Sequence, residues 1–222
     1  MTDHYTNKLF DVPGLSGTRV VFPVSRLVLD PERFADDARE PMAAKGMGVV
    51  YEKTADLEPL RKKPSSEERK ALIDRYYHPH HQRLAWAVEQ ALPLFGCSLI
   101  IDCHSFPSVP LPYEDDQDPD QPEICIGTDS FHTPGRLAAE AAAIFEGAGF
   151  RVALNRPFSG TLVPMKYYRR EPAVSSIMIE LNRGLYMDEK AGVPLPQFEI
   201  LRQRLAGCLT GLALAFRETP LP

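Results

Sequence analysis

Two apolar runs constrain this chain more than any other feature: Ser98-Leu-Ile-Ile-Asp-Cys-His104 and Ser175-Ser-Ile-Met-Ile-Glu-Leu-Asn-Arg183. Each is short, and each breaks into polar and charged residues towards its C-terminal end. That is the pattern of a buried strand whose end opens onto a site. Helical patterns surround these runs. Ser65 or Ser66 caps a helix that holds Glu67 and Glu68 in its first turn, where the dipole favours acids, and continues to about Leu92 with a kink expected at Pro79. An alanine-rich helix over 133–148 is stopped by Gly149, and a terminal helix covers 196–216. Further strands are expected at 124–127 and 150–154. Strands alternating with helices predict an α/β fold with a largely parallel sheet covered on both faces.

The remaining segments are less regular. Residues 18–29 are rich in β-branched side chains and read as strand material broken at Pro23, followed by a turn at Asp30-Pro31 that Arg26 and Arg33 flank. From 36 to 66 no period persists, and a long excursion of this kind usually serves a site. An acidic, proline-containing loop spans 114–123, and no internal repeat is visible.

With 222 residues the chain is expected to form one domain, 1–222. A net charge of −5 with interspersed signs argues against a nucleic-acid partner, which needs a basic face, and favours a small molecule. No apolar run is long enough for a membrane span or a signal peptide, so a cytoplasmic location is expected. Cys97, Cys103, Cys125 and Cys208 show no CxxC spacing and read as reduced thiols. Nothing in the sequence bears on oligomeric state.

Asp102 and His104 lie two apart at the end of a strand, so their side chains share a face. A histidine there can bind zinc through one ring nitrogen while a carboxylate orients the other. Taken alone, the pair reads first as a polar strand end hydrogen-bonded to a loop. Glu180 ends the second strand, and a carboxylate there is costly to bury unless a cation accompanies it. A metal-bound water is one such companion; a structural ion pair with Arg183 or another arginine is the alternative.

These segments together resemble the N-formylglutamate amidohydrolase family. The resemblance rests on Leu99-Ile-Ile-Asp-Cys-His-Ser105 with Val109-Pro-Leu-Pro112, on Asn155-Arg-Pro-Phe-Ser-Gly160, and on Ile177-Met-Ile-Glu-Leu-Asn-Arg-Gly-Leu-Tyr-Met187. Ser25-Arg-Leu-Val-Leu-Asp-Pro-Glu-Arg33 resembles a further family segment, with Glu32 where the family usually has Asn; His78-Pro-His-His81 and the early Thr2-Asp3 resemble two more. The resemblance implies a zinc carboxypeptidase-like fold (phosphorylase/hydrolase-like), a mixed, largely parallel sheet flanked by helices on both faces. It implies a zinc ion bound by His104 and by Asp3, with Asp102 orienting His104 and Glu180 as general base. Asp3 reads equally as the cap of a helix beginning near His4. Asn155 lies where that architecture contacts a substrate carboxylate.

A formylated acidic amino acid carries two carboxylates, and arginine forks bind carboxylates bidentately, so Arg26 and Arg33 are candidate substrate clamps, with Arg156 and Arg183 in reserve. Pairing of the first two with Asp30, Asp36 or Asp37 is the structural alternative. His81 is a candidate donor to the substrate or the reaction oxyanion, or a histidine satisfied by neighbouring backbone. The reaction implied is hydrolysis of N-formyl-L-glutamate to formate and L-glutamate, late in histidine degradation. A deacylase or peptidase on another acylated substrate, and a non-catalytic amino-acid-binding protein, are the alternatives. Family members normally begin with an upstream strand and a Pro-His-Ser-Gly-like segment holding another metal ligand, and these 222 residues contain no such segment. A mis-started chain, a shortened member using His4 or another substitute, and a metal-free descendant all accommodate that difference.

Overall fold

The computed structural model describes residues 2–218. They divide into two compact units, each assembled from separated stretches of chain: residue 2 with 18–87 and 111–115, and residues 3–17, 88–110 and 116–218.

The second unit carries a four-stranded sheet. Its strands are β1 (Ser98–Phe106), β2 (Ile124–Gly127), β3 (Val152–Leu154) and β4 (Val174–Asn182), in the order β1-β4-β2-β3. The β1-β4 and β2-β3 pairings are parallel and β2-β4 is antiparallel, so the sheet is mixed and mostly parallel. β4 lies between two neighbours and all nine of its residues are buried, which is why the stretch Ile177-Met178-Ile179 ahead of Glu180 is apolar on both faces. One face of the sheet presents Ile124, Ile126, Ile177, Ile179 and Leu181 to a core completed by the helices α4 (Gly135–Gly147) and α5 (Phe198–Glu218). Leu9 of the short helix α1 (Thr6–Leu9) joins this core with no exposed surface. The opposite face meets the irregular segment 158–162.

Local chemistry sets the helix ends. The Phe150 N–H donates to the Phe145 carbonyl at 3.1 Å and the Gly149 N–H to that of Glu146 at 2.8 Å, closing α4 with Gly149 at φ 84°. The Phe145 and Phe150 rings, 6.1 Å apart, supply the apolar contact that accompanies such a terminus.

In the first unit a reciprocal capping box starts α2 (Ser66–Leu72): Ser65 Oγ accepts from the Glu68 N–H, and the Ser65 N–H donates to the Glu68 carboxylate. The expected kink at Pro79 is instead a π-helical turn, Ile73–Tyr77, just ahead of α3 (His78–Phe95). Proline lacks the N–H that would reach back four residues and its ring crowds that carbonyl; a widened turn accommodates both. Leu29, Val49, Val50, Ile73 and Tyr77 form this unit's core.

One expected element is absent among the described residues. Residues 18–29 form no strand, although exposure alternates along 20–24 as it would in one. β-branched side chains favour an extended backbone, but a strand also needs a ladder partner, and Pro23 offers no N–H to one.

Leu205 of α5 has no exposed surface, so Leu205→Ala should destabilise the protein by about 2–5 kcal/mol in urea denaturation at unchanged m-value. A loss below about 0.5 kcal/mol would show that α5 is not part of the cooperative core.

Candidate active site

The β1-β4 register pairs Asp102 with Met178 and His104 with Glu180. Adjacent strands lie about 4.8 Å apart and side chains alternate faces, so Asp102, His104 and Glu180 point to one side of the sheet. Cys125 of β2, registered with Glu180, lies on that side too. His104 and Glu180 are each 9% exposed.

Two hydrogen bonds hold Asp102. His104 Nε2 donates to its Oδ1 at 2.8 Å, and the Leu162 N–H donates to its Oδ2 at 2.8 Å. Burial alone would raise the carboxyl pKa; the His104 charge and hydrogen bond and the Leu162 N–H outweigh it and hold the group below its ordinary value. With Nε2 committed to Asp102, Nδ1 is the ring nitrogen turned towards Asp3 Oδ2, 3.5 Å away, and it faces that oxygen as a lone pair whenever it carries no proton. Two electron-pair donors face each other stably only with a cation between them, a proton or a metal. The spacing matches the roughly 3.3–3.5 Å separating two ligand atoms on one tetrahedral zinc, given Zn–N and Zn–O bonds of about 2.0–2.2 Å. His104 and Asp3 thus stand at a spacing that two of the three protein ligands of a zinc site would take.

Asp3 reaches this position on a pinned segment. The Tyr186 hydroxyl donates to the His4 carbonyl at 2.8 Å, the Tyr5 hydroxyl to the Gly192 carbonyl at 2.7 Å, and the Ser105 N–H to Asp3 Oδ1 at 3.0 Å. α1 begins at Thr6 with Tyr5 at the cap position, so Asp3 contributes its carbonyl to the helix start while its carboxylate faces β1. His4 is exposed, its ring centroid 6.3 Å from that of Tyr5. The buried guanidinium of Arg183 donates to the Ser105 hydroxyl at 3.1 Å and carbonyl at 2.7 Å, so it braces the residue that holds Asp3.

The other residues singled out in the sequence lie in different surroundings. Asn155 follows β3 at φ 54° and closes a side-chain bracket on Thr128, accepting from its N–H at 2.9 Å. Arg156 is engaged by the acidic loop, bonding Asp116 at 2.8 Å and Asp118 at 2.7 Å. In the first unit, Arg26 and Arg33 both converge on the fully buried Asp30, at 3.7 and 3.5 Å, and the Tyr51 hydroxyl donates to the same oxygen at 2.5 Å. That is the structural pairing the sequence left open for both arginines. His81 Nε2 donates to the Pro31 carbonyl at 2.9 Å and its ring stacks on Tyr77 at 4.1 Å.

Ser105, Leu162, Tyr51 and Tyr186 escaped sequence reasoning. Ser105 and Leu162 act through backbone N–H groups, which leave no mark in a sequence; Tyr186 acts through its side chain and lies inside a recognised motif, as Ser105 does.

A family profile described as N-formylglutamate amidohydrolase matches residues 1–187. An N-formylglutamate deformylase of Pseudomonas putida is 29% identical over 196 residues, 85% of this chain and 71% of that protein. The crystal structure of an N-formylglutamate amidohydrolase from Ralstonia eutropha JMP134 superposes with a TM-score of 0.71 at 26% identity, covering 86% of this chain and 74% of that one. A gene product of Agrobacterium tumefaciens, 21% identical with a TM-score of 0.57 over 85% of this chain and 69% of its own, shares the fold.

Asp30→Ala should cost about 2–3 kcal/mol in urea denaturation, below the roughly 3–5 kcal/mol of a sealed ion pair because both arginine side chains are 24% exposed. A loss under about 0.5 kcal/mol would mean that the arginines do not depend on Asp30. Burial depresses the His81 pKa, with the Pro31 carbonyl opposing it, so the folded state favours the neutral ring. That stabilisation is present above the unfolded value of about 6.5 and is lost as pH falls through the lower folded value. The melting-temperature advantage of wild type over His81→Asn should therefore shrink below about pH 6.5; a constant advantage would refute the assignment.

Proposed function

The chain belongs to the N-formylglutamate amidohydrolase family, and on that premise we propose that it hydrolyses N-formyl-L-glutamate to formate and L-glutamate with a zinc ion held by His104 and Asp3. The observation that carries this reading is the in-register pair His104 and Glu180, with His104 fixed by Asp102 on one side and facing Asp3 on the other. Amide hydrolysis needs an activated water, an electrophilic carbonyl and a proton for the departing amine. Bound zinc would supply the first two, lowering the pKa of water towards about 7 and polarising the formyl oxygen.

The protein's own residues do the rest. Asp102 keeps the His104 proton on Nε2, which reserves Nδ1 for the metal. The Ser105 N–H, braced by Arg183, fixes one Asp3 oxygen and leaves Oδ2 turned to His104. Glu180, on the neighbouring strand and the same face, accepts the proton of the attacking water and returns it to the amine nitrogen as the C–N bond breaks. Its near-complete burial strengthens that exchange, because a water-poor setting weakens competing solvation of the carboxylate. The reaction falls late in histidine degradation.

Glu180→Gln should lower kcat for N-formyl-L-glutamate by about 10²–10⁴ while near-stoichiometric zinc remains bound. His104→Ala and Asp3→Ala should instead release the metal. Wild-type turnover by Glu180→Gln, or no hydrolysis of any N-acyl amino acid by the zinc-loaded wild type, would overturn the proposal.

A further inference from the structure

The segment 158–162 lies across the same sheet face as His104 and Glu180, and several contacts fix it there. The Cys125 thiol donates to the Phe158 carbonyl at 3.1 Å, and the Gly160 N–H donates to the Thr128 carbonyl at 3.2 Å. At Gly127 a side chain is excluded, since a Cβ would sit 2.5 Å from the Gly160 carbonyl oxygen and 2.4 Å from Met178 Cε. The segment ends at Leu162, clamped on both sides: its N–H donates to Asp102 Oδ2 and its carbonyl accepts from Ser176 Oγ at 2.9 Å. Thr161 Oγ1 lies 2.6 Å from the same Ser176 hydroxyl.

Ser176 is the unusual member of this chain of contacts. It lies on β4, four residues before Glu180 and on the same face, and is fully buried. Its backbone is already satisfied, because its N–H donates to the His132 carbonyl and its carbonyl accepts from the Thr133 hydroxyl. The strand therefore has no need of a hydroxyl here, and burying one is costly unless it is bonded. The hydroxyl's work is directed at Leu162 and Thr161. Leu162 touches Asp102, Asp102 fixes His104, and the His104 tautomer decides which ring nitrogen stays available.

We propose that Ser176 is a positioning residue for metal binding: its hydroxyl holds Leu162 so that the Leu162 N–H orients Asp102, and through Asp102 the Nδ1 of His104. This rests on the zinc reading above. The contacts form one line, Ser176 to Leu162 to Asp102 to His104, with every link between 2.8 and 2.9 Å. Removing the hydroxyl loosens the far end while leaving all metal-facing groups present.

The test is a double-mutant cycle on the full chain, reading zinc affinity by competition with a chromophoric chelator and, in metal-free protein, amide hydrogen exchange at Leu162 by NMR. Ser176→Ala should weaken zinc binding about tenfold, the lower end of the effect of losing an outer partner, and accelerate exchange at Leu162. Thr161→Val should act in the same direction more mildly. In an Asp102→Ala background, Ser176→Ala should have no further effect on zinc affinity, which a merely structural serine would not show. Wild-type zinc affinity in Ser176→Ala, or an equal loss in both backgrounds, overturns the inference and leaves the functional reading intact. If wild type takes up no zinc, the functional reading fails; exchange at Leu162 then decides the Ser176–Leu162–Asp102 linkage, acceleration upholding it and an unchanged rate refuting it.

Discussion

The register of β1 against β4 governs what this protein can do. Side chains alternate with a period of two, so a slip of one residue would turn His104 away from Glu180 and carry Asp102 into the apolar core. The aliphatic residues of β4 oppose that slip: Ile177, Ile179 and Leu181 are wholly buried in the core that α4 and α5 complete, and a one-residue shift would turn one strand's side chains to the wrong face. The hydrophobic face thus sets the register, and the register delivers the chemistry to the opposite face. Stability and function are coupled by geometry.

A second constraint is electrostatic. Asp102, His104, Glu180 and Arg183 are all buried, where an uncompensated charge is costly. Much of the compensation comes from backbone groups: the N–H groups of Leu162 and Ser105 serve Asp102 and Asp3, and the Ser105 carbonyl serves Arg183. Such donors and acceptors do not titrate and barely reorganise, so they hold carboxylates in one orientation over a wide pH range. The first unit solves a similar problem with side chains, where Arg26, Arg33 and Tyr51 surround Asp30. Burial first, and the Asp30 charge next, push the Tyr51 hydroxyl above its ordinary range, so it remains a donor.

The legible parts of this architecture obey local rules. Ser65 and Glu68 form the cap their spacing announces, Gly149 ends its helix through a positive φ, and His104 and Glu180 lie two residues from the ends of β1 and β4, with Asp102 at the middle of β1, so the strand runs on past the point where the apolar pattern breaks. What could not be read depends on partners distant in sequence. Residues 18–29 carry strand propensity, yet a ladder requires a neighbour that propensity does not supply. Arg156 has the right charge for a carboxylate ligand, but the fold gives it the carboxylates of Asp116 and Asp118. Leu162 influences Asp102 through a peptide N–H that every residue except proline possesses, so its role belongs to the fold alone. The family resemblance points to Asp3, whose carboxylate, 102 residues from the Ser105 N–H that donates to it, carries no spacing signal of its own.

In the proposed site His104 offers Nδ1 to a zinc ion shared with Asp3 while Nε2 stays on Asp102. Anomalous diffraction at the zinc edge from zinc-soaked crystals tests it most directly. One strong peak should appear, bonded to His104 Nδ1 and an Asp3 oxygen, with the Asp102 contact to Nε2 retained. A peak bonded to Nε2 with Asp102 displaced, or zinc bound only at sites remote from β1 and β4, would contradict it.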